Sequence, residues 1–235
     1  MWQVQASAFS GKWKESQEHL RRTNELAIAA KAKEAAAAYT AEHAARAALV
    51  DQSALAIELA ESALKIERNR TVLTNAGLAF ALAGDAAKAS SMIQELEQKH
   101  PKDTLVNKLS VPEIKAAIEL RRGNAAAVIE ILDSLGTYEA AAEFWPQTLR
   151  CLAYLKSGKA AEAATEAHKV IDHRGESPLS VLWPFAQLQF ARATTLQGDL
   201  AQAKKAYEVF FGFWKDADTD VLLLVEAKKE YAKLK

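Results

Sequence analysis

The stretch LTNAGLAFALAGDAAKASSMIQELEQKHP, residues 73–101, decides the fold. Apolar residues recur at helical spacing up to Gly84, and a second run follows in which Ala89, Ile93 and Leu96 share one face until Pro101 stops it. Gly84-Asp85 lies between the two runs. Glycine can end a helix in the left-handed conformation and aspartate can cap the next, so the pattern predicts a helical hairpin. Gly77, seven positions before the hinge, predicts a close helix crossing, with Ala89 opposite.

The same hinge recurs along the chain. Gly11-Lys12, Gly123-Asn124, Gly158-Lys159 and Gly198-Asp199 repeat it, and spacing requires another between Gly11 and Gly84, which Asp51-Gln52 supplies without a glycine. Ala56, Ala60, Ala63 and Leu64 then form the apolar face of the following helix. Only ten residues precede Gly11, so the first unit is read as truncated and the chain as a piece of a longer protein. Residues 13–66 read as one pair of long alanine-rich helices. Pro112, Pro146 and Pro184 read as helix starts, where proline costs a helix least. In later units Ala116, Cys151 and Ala191 take the place of Gly77. The polar stretch HRGESPLS, residues 173–180, reads as a turn between units.

Composition agrees with an all-α chain. Half of the 235 residues are hydrophobic, only nine are glycine and five proline, and alanine-rich helix formers dominate. Thirty basic residues balance thirty acidic ones, which argues against nucleic acid as a partner. No 18-residue apolar run is present, which argues against membrane insertion, and a cytoplasmic location is expected. A single cysteine allows no internal disulfide.

These hairpins resemble the tetratricopeptide repeat (TPR), whose period and small-residue pattern they approximate. The resemblance implies a right-handed superhelix of about six TPR-like hairpins forming one domain over residues 1–235, with a capping helix at 217–235. The tail FFGFWKDADTDVLLLVEAKKEYAKLK, preceded by LQGDLAQAKKAYEVF, is similar to the end of the TPR-type region that follows the kinase domain in large bacterial serine/threonine protein kinases. The segments ALAGDAAKA, HPKDTLVNKLSVPEIKAAIELRRGN and VIDHRGESPLS resemble the same region. This implies a regulatory or interaction region of a signalling protein. The kinase motifs themselves are missing from the sequence; His173-Arg174-Gly175 lacks the catalytic aspartate. No enzyme activity and no cofactor are expected.

Within the tail, Tyr207, Phe210, Phe211 and Trp214 fall at i, i+3, i+4 and i+7 and need covering; the final helix would do so, with Asp218 or Asp220 as its N-cap. The histidines are scattered, and His168 and His173 are five apart rather than at a metal-sharing i, i+4. Cys151 reads as a buried, inert thiol at a helix crossing. Glu226 and Glu230 read as surface ion pairs with nearby lysines.

The functional expectation falls on the concave groove that first helices line in such arrays. Counting back from each hinge places Thr74, Asn75 and Leu78, then Glu113 and Arg121, then Trp145, Thr148 and Leu152, then Gln189 and Arg192 on that wall. Trp145 would be its aromatic anchor, flanked by Arg121 and Arg192. The expected ligand is a protein or peptide partner. The alternative is a sensor closing over a small molecule or signal peptide.

Overall fold

A computed structural model of the chain describes residues 1–234. Among them the secondary structure is helical without strands: α1 (Trp2–Phe9), α2 (Trp13–Ala29), α3 (Lys33–Leu49), α4 (Ser53–Ile66), α5 (Arg70–Ala83), α6 (Ala86–Lys99), α7 (Val111–Arg122), α8 (Ala125–Asp133), α9 (Trp145–Lys156), α10 (Ala160–Asp172), α11 (Leu182–Gln197), α12 (Leu200–Phe213) and α13 (Leu222–Tyr231). No described helix is long and apolar enough to cross a membrane.

One backbone device turns the chain at every expected hinge. At Gly84, φ is 92° and the Asp85 N–H reaches back to the Phe80 carbonyl at 2.8 Å, while the Asp85 side chain accepts from Lys88 N–H at 3.0 Å. The left-handed residue thus satisfies the carbonyls that the helix end leaves bare, and the aspartate satisfies the next helix's first donors. The same six-residue closure occurs from Lys12 to Ser7, Gln52 to Ala47, Asn124 to Glu119, Lys159 to Tyr154 and Asp199 to Thr194. Asp51 holds the left-handed conformation at φ 64° without being glycine. One hinge was not expected: Ala32 N–H closes on Ala27 O at 2.7 Å around Lys31 at φ 61°. Residues 13–66 are therefore three helices rather than a pair, because a lysine can occupy a position the sequence reading reserved for glycine or a short polar residue.

The helices form two compact units. The first comprises Met1 and Glu18–Ala142; the second comprises Trp2–Gln17 and the residues from Glu143 on, so the division falls within α2. In the first unit, α3 packs on α4, α5 on α6 and α7 on α8, while α3 meets α5 and α5 meets α7, a repeat-like stacking. Alanine explains how α3 can be surrounded: Ala36, Ala37, Ala41, Ala44, Ala45 and Ala47 are all fully buried, and such small side chains let neighbouring helices approach. Ala37 and Ala41 meet Ala63 and Val72 in the core. Gly77 is likewise a close approach, and its nearest neighbours are Ile114 and Met92: an added Cβ would lie 2.7 Å from Ile114 Cδ1 and 3.2 Å from Met92 Cβ.

Pro112 corrects a second expectation. It stands at the first turn of α7, but the chain is already helical before it, through a π-helical turn at Val106–Ser110. Asp103 caps that earlier start by accepting from Val106 N–H at 3.1 Å. The Val111 N–H bonds Val106 O five residues back, and the wide register accommodates the proline's missing donor. Pro146 and Pro184 do sit in the first turns of α9 and α11.

In the second unit α9 packs on α10, α11 on α12, and α11 on both α9 and α10. The α11 helix is its axis, buried from Leu182 to Ala191 almost without interruption. Arg150 and Glu166, both buried, pair at 3.4 Å between α9 and α10, with Lys169 adding a 2.7 Å contact to Glu166. Cys151 is buried as expected, its thiol 3.3 Å from Ala163 O and pushed up to about 12 by burial.

The aromatic face of α12 is covered from two sides. Tyr231 of α13 meets Tyr207 and Phe211 at 5.8 and 5.5 Å between ring centres. Trp214 is instead covered by the N-terminal hairpin: its indole N–H donates to Phe9 O at 3.0 Å, and Asp218 N–H to Gly11 O at 3.1 Å. A Cβ on Gly11 would fall 2.6 Å from Ala217 Cβ, so glycine is required there for space as well as for its φ of 73°. Neither Asp218 nor Asp220 caps α13, whose N-cap is Val221 without a side-chain bond. Asp218 caps α2 from 204 residues away, accepting from Lys14 N–H at 2.9 Å, and Asp220 pairs with the Lys14 ammonium at 2.9 Å.

Candidate functional site

A cleft of about 680 Å³ opens in the second unit, between α9, α11, the start of α12 and the end of α13. Helical spacing builds its walls. On α9, Leu152, Leu155 and Lys156 follow at i, i+3 and i+4; on α11, Gln189, Arg192 and Leu196 follow at i, i+3 and i+7. Leu200 enters just after the Gly198 hinge, and Lys233 and Leu234 close the far side. Leu196 and Leu200 are 59% and 41% exposed, so apolar surface lies open to solvent at the mouth.

The floor is polar and ordered. Arg192 makes a bidentate pair with Glu230, both contacts at 3.0 Å, and Tyr207 donates to the same carboxylate at 2.8 Å. Burial raises the Glu230 carboxyl, but the Arg192 guanidinium outweighs it and holds the group below its ordinary value. Burial and then the Glu230 carboxylate raise the Tyr207 phenol, which stays protonated and donating. Glu230 is therefore a tertiary anchor between α11 and α13 rather than the surface pair the sequence implies. Arg192 also donates to Gln189 Oε1 at 3.3 Å, while Gln189 Nε2 is buried and has no hydrogen-bond partner.

Chemically this arrangement can bind. Leucines supply the apolar walls; Lys156, Arg192 and Lys233 supply three positive charges against the single negative charge of Glu230. No group of three potential metal ligands occurs among the described residues.

The ten residues expected on a groove divide between the units. In the first, Thr74 and Asn75 are half-buried on α5, with Asn75 donating to Thr71 O at 3.0 Å, and Leu78 is buried. Glu113 is buried in α7 with Oε1 unpartnered, and its carboxyl is pushed up to about 8 by burial and by the charge of Glu139. Arg121 is exposed at the end of α7. In the second unit, Trp145 is 8% exposed at the first position of α9 and does not line the cleft, and Thr148 is buried, donating to Phe144 O at 2.8 Å. Leu152, Gln189 and Arg192 do come together, on the cleft.

Sequence reasoning missed Leu196, Leu200, Tyr207, Glu230 and Lys233 as partners of these three. One signal was available: Leu196 and Leu200 flank the Gly198 hinge symmetrically, where a solvent-facing turn has no need of leucine. Compared with protein-family models, curated proteins and solved structures, the chain matches none.

Proposed function

We propose that this chain is a TPR-like interaction module, and that the cleft of its second unit receives an amphipathic, acidic segment of a partner protein. The observation that carries the reading is the open mouth of that cleft. Two leucines exposed side by side around a hinge form an apolar surface that a partner's leucine-type side chains can bury. Beyond the Arg192–Glu230 pair, Lys233 adds positive charge to the lining, which complements a segment that carries glutamate or aspartate beside those side chains. The resemblance of the tail to the region following bacterial kinase domains supports the finer reading, a docking or regulatory region serving a kinase.

Fluorescence anisotropy with a labelled 14-residue helical peptide provides the test, with leucine at i, i+3, i+4 and i+7 and glutamate elsewhere. It should bind the chain, whereas the same peptide with lysine for glutamate should not. Leu196→Asp and Leu200→Asp should each weaken binding about tenfold or more, the equivalent of leaving one leucine unburied. Equal binding of acidic and basic peptides, or indifference to both substitutions, would overturn the proposal. The cleft volume also lies in the range of small-ligand sites. Dodecanoate binding that both substitutions abolish, with no peptide bound, would assign the cleft to a small amphiphile instead.

A further inference from the structure

A second constellation in the same unit lies apart from the cleft. Phe9 on α1, Trp183 on α11 and Phe213 on α12 bring three rings together from positions far apart in sequence. Phe9 and Trp183 lie near parallel, 25° apart with centroids 6.3 Å apart. Phe213 stands across both, at 83° to Phe9 and 75° to Trp183. The three rings pack on one another, with Phe213 centred 5.3 Å from Phe9 and 4.8 Å from Trp183. A cation lies over the cluster: the Arg174 guanidinium carbon is 4.6 Å from the Trp183 centroid, 5.0 Å from Phe213 and 5.5 Å from Phe9.

This cation is held differently from the arginines that pair between helices. Arg150 meets Glu166, and Arg192 meets Glu230. Arg174 has no carboxylate within ion-pair range among the described residues and is exposed, on a short 3₁₀ turn in the polar connection between α10 and α11. Its hold is the ring quadrupoles, which attract any cation placed against them. A quaternary ammonium is attracted by the same ring faces and presents methyl groups to them in place of N–H donors. The rings are held independently of the cation: Trp183 donates its indole N–H to Ile171 O at 3.0 Å, and Phe9 and Trp183 are only 5% and 8% exposed.

We propose that Phe9, Trp183 and Phe213 form a binding site for a trimethylammonium group, which Arg174 occupies in cis until a ligand displaces it. The connection from His173 to Ser180 acts as the plug. It swings away with Arg174 when the ligand binds, so occupancy of the ring cluster and the position of this connection are coupled. The trimethylammonium group has two sources, a partner's trimethylated lysine or a free amine of the choline type.

The test follows the ring protons of Phe9, Trp183 and Phe213 by NMR during titration of the full chain with tetramethylammonium, choline and a Gly/Ser peptide carrying one trimethyl-lysine. Neutral 3,3-dimethylbutan-1-ol serves as the uncharged isostere. Arg174→Ala, which removes an exposed side chain, should bind tetramethylammonium about tenfold more tightly than wild type, since no occupant has to leave. Phe213→Leu added to Arg174→Ala should abolish that gain. Peptide binding tighter than choline assigns the site to a protein partner, and the reverse assigns it to a free amine. No saturable shift in Arg174→Ala, equal binding of the neutral isostere, or equal affinity with and without Arg174 would overturn the proposal. Loss of helicity in Arg174→Ala would overturn it too, because the arginine would then be a structural prop rather than an occupant.

Discussion

Replacing Gly77 by alanine sets two effects of known size against each other. In an exposed helix the change stabilises by about 1 kcal/mol, because glycine loses the most backbone freedom on folding. Here the new methyl would stand 2.7 Å from Ile114 Cδ1, 3.3 Å from Ile114 Cγ1 and 3.2 Å from Met92 Cβ. Carbon atoms rest about 3.5 to 4.0 Å apart, so Ile114 must retreat by about 1 Å and the backbone-linked Met92 Cβ by a few tenths of an ångström. Ile114 is completely buried and has no solvent to turn into. Overpacking of this kind costs about 1 to 3 kcal/mol, so it wins. Gly77→Ala should therefore destabilise by about 1 kcal/mol and lower Tm by about 2 to 4 °C. Ile114→Val removes the clashing Cδ1; alone it should cost about 1 kcal/mol, but in the Gly77→Ala background close to nothing. Urea denaturation of the wild type, both single variants and the double variant measures the coupling, expected at about 1 kcal/mol. A stabilised Gly77→Ala, or strictly additive substitutions, would refute the close approach of α5 to Ile114.

Glu113 provides a pH signature. Its carboxyl titrates near 8 when folded, because of burial and then Glu139, against an ordinary value of 4.5. The unfolded chain releases this proton first, so the neutral group's contribution is whole below about pH 4.5 and is lost as pH rises to 8, at up to about 1.4 kcal/mol per unit. Glu113→Gln should flatten the decline between pH 5 and 8 in urea titrations; an unchanged slope would show that another group carries it. Asp218→Ala should lose about 1 kcal/mol of stability, the worth of a helix cap, with Asp218→Asn retaining most of it. Equal melting temperatures for wild type and Asp218→Ala would mean the contact to Lys14 N–H contributes nothing.

The hinges were legible because their chemistry is local. Gly84, Gly123, Gly158 and Gly198 announce a left-handed residue, and Asp85, Asn124 and Asp199 announce the cap beside it. Lys31 was illegible for the same reason: it takes the left-handed conformation, and nothing in its side chain advertises it. Counting back from hinges found Leu152, Gln189 and Arg192, since one helix face is a matter of spacing. It could not find Glu230 beside Arg192, 38 residues on, because which helix packs there depends on shape and not on period. Leu78, Glu113 and Trp145 share that spacing yet are buried, so position along a helix told which way a residue faces without telling what covers it.

The cap that Asp218 places on α2 ties residue 14 to the last stretch of the chain, and Trp214 does the same for Phe9. During synthesis the N-terminal hairpin therefore emerges about two hundred residues before its partners. Residues 18–142 form a compact unit of their own, whereas Phe9 and Gly11 must wait uncovered until Trp214 and Ala217 appear. Closing so long a loop is entropically costly and slow compared with forming a neighbouring hairpin. The second unit is thus the late step of folding, and the waiting N-terminus is the stretch most exposed to misassociation.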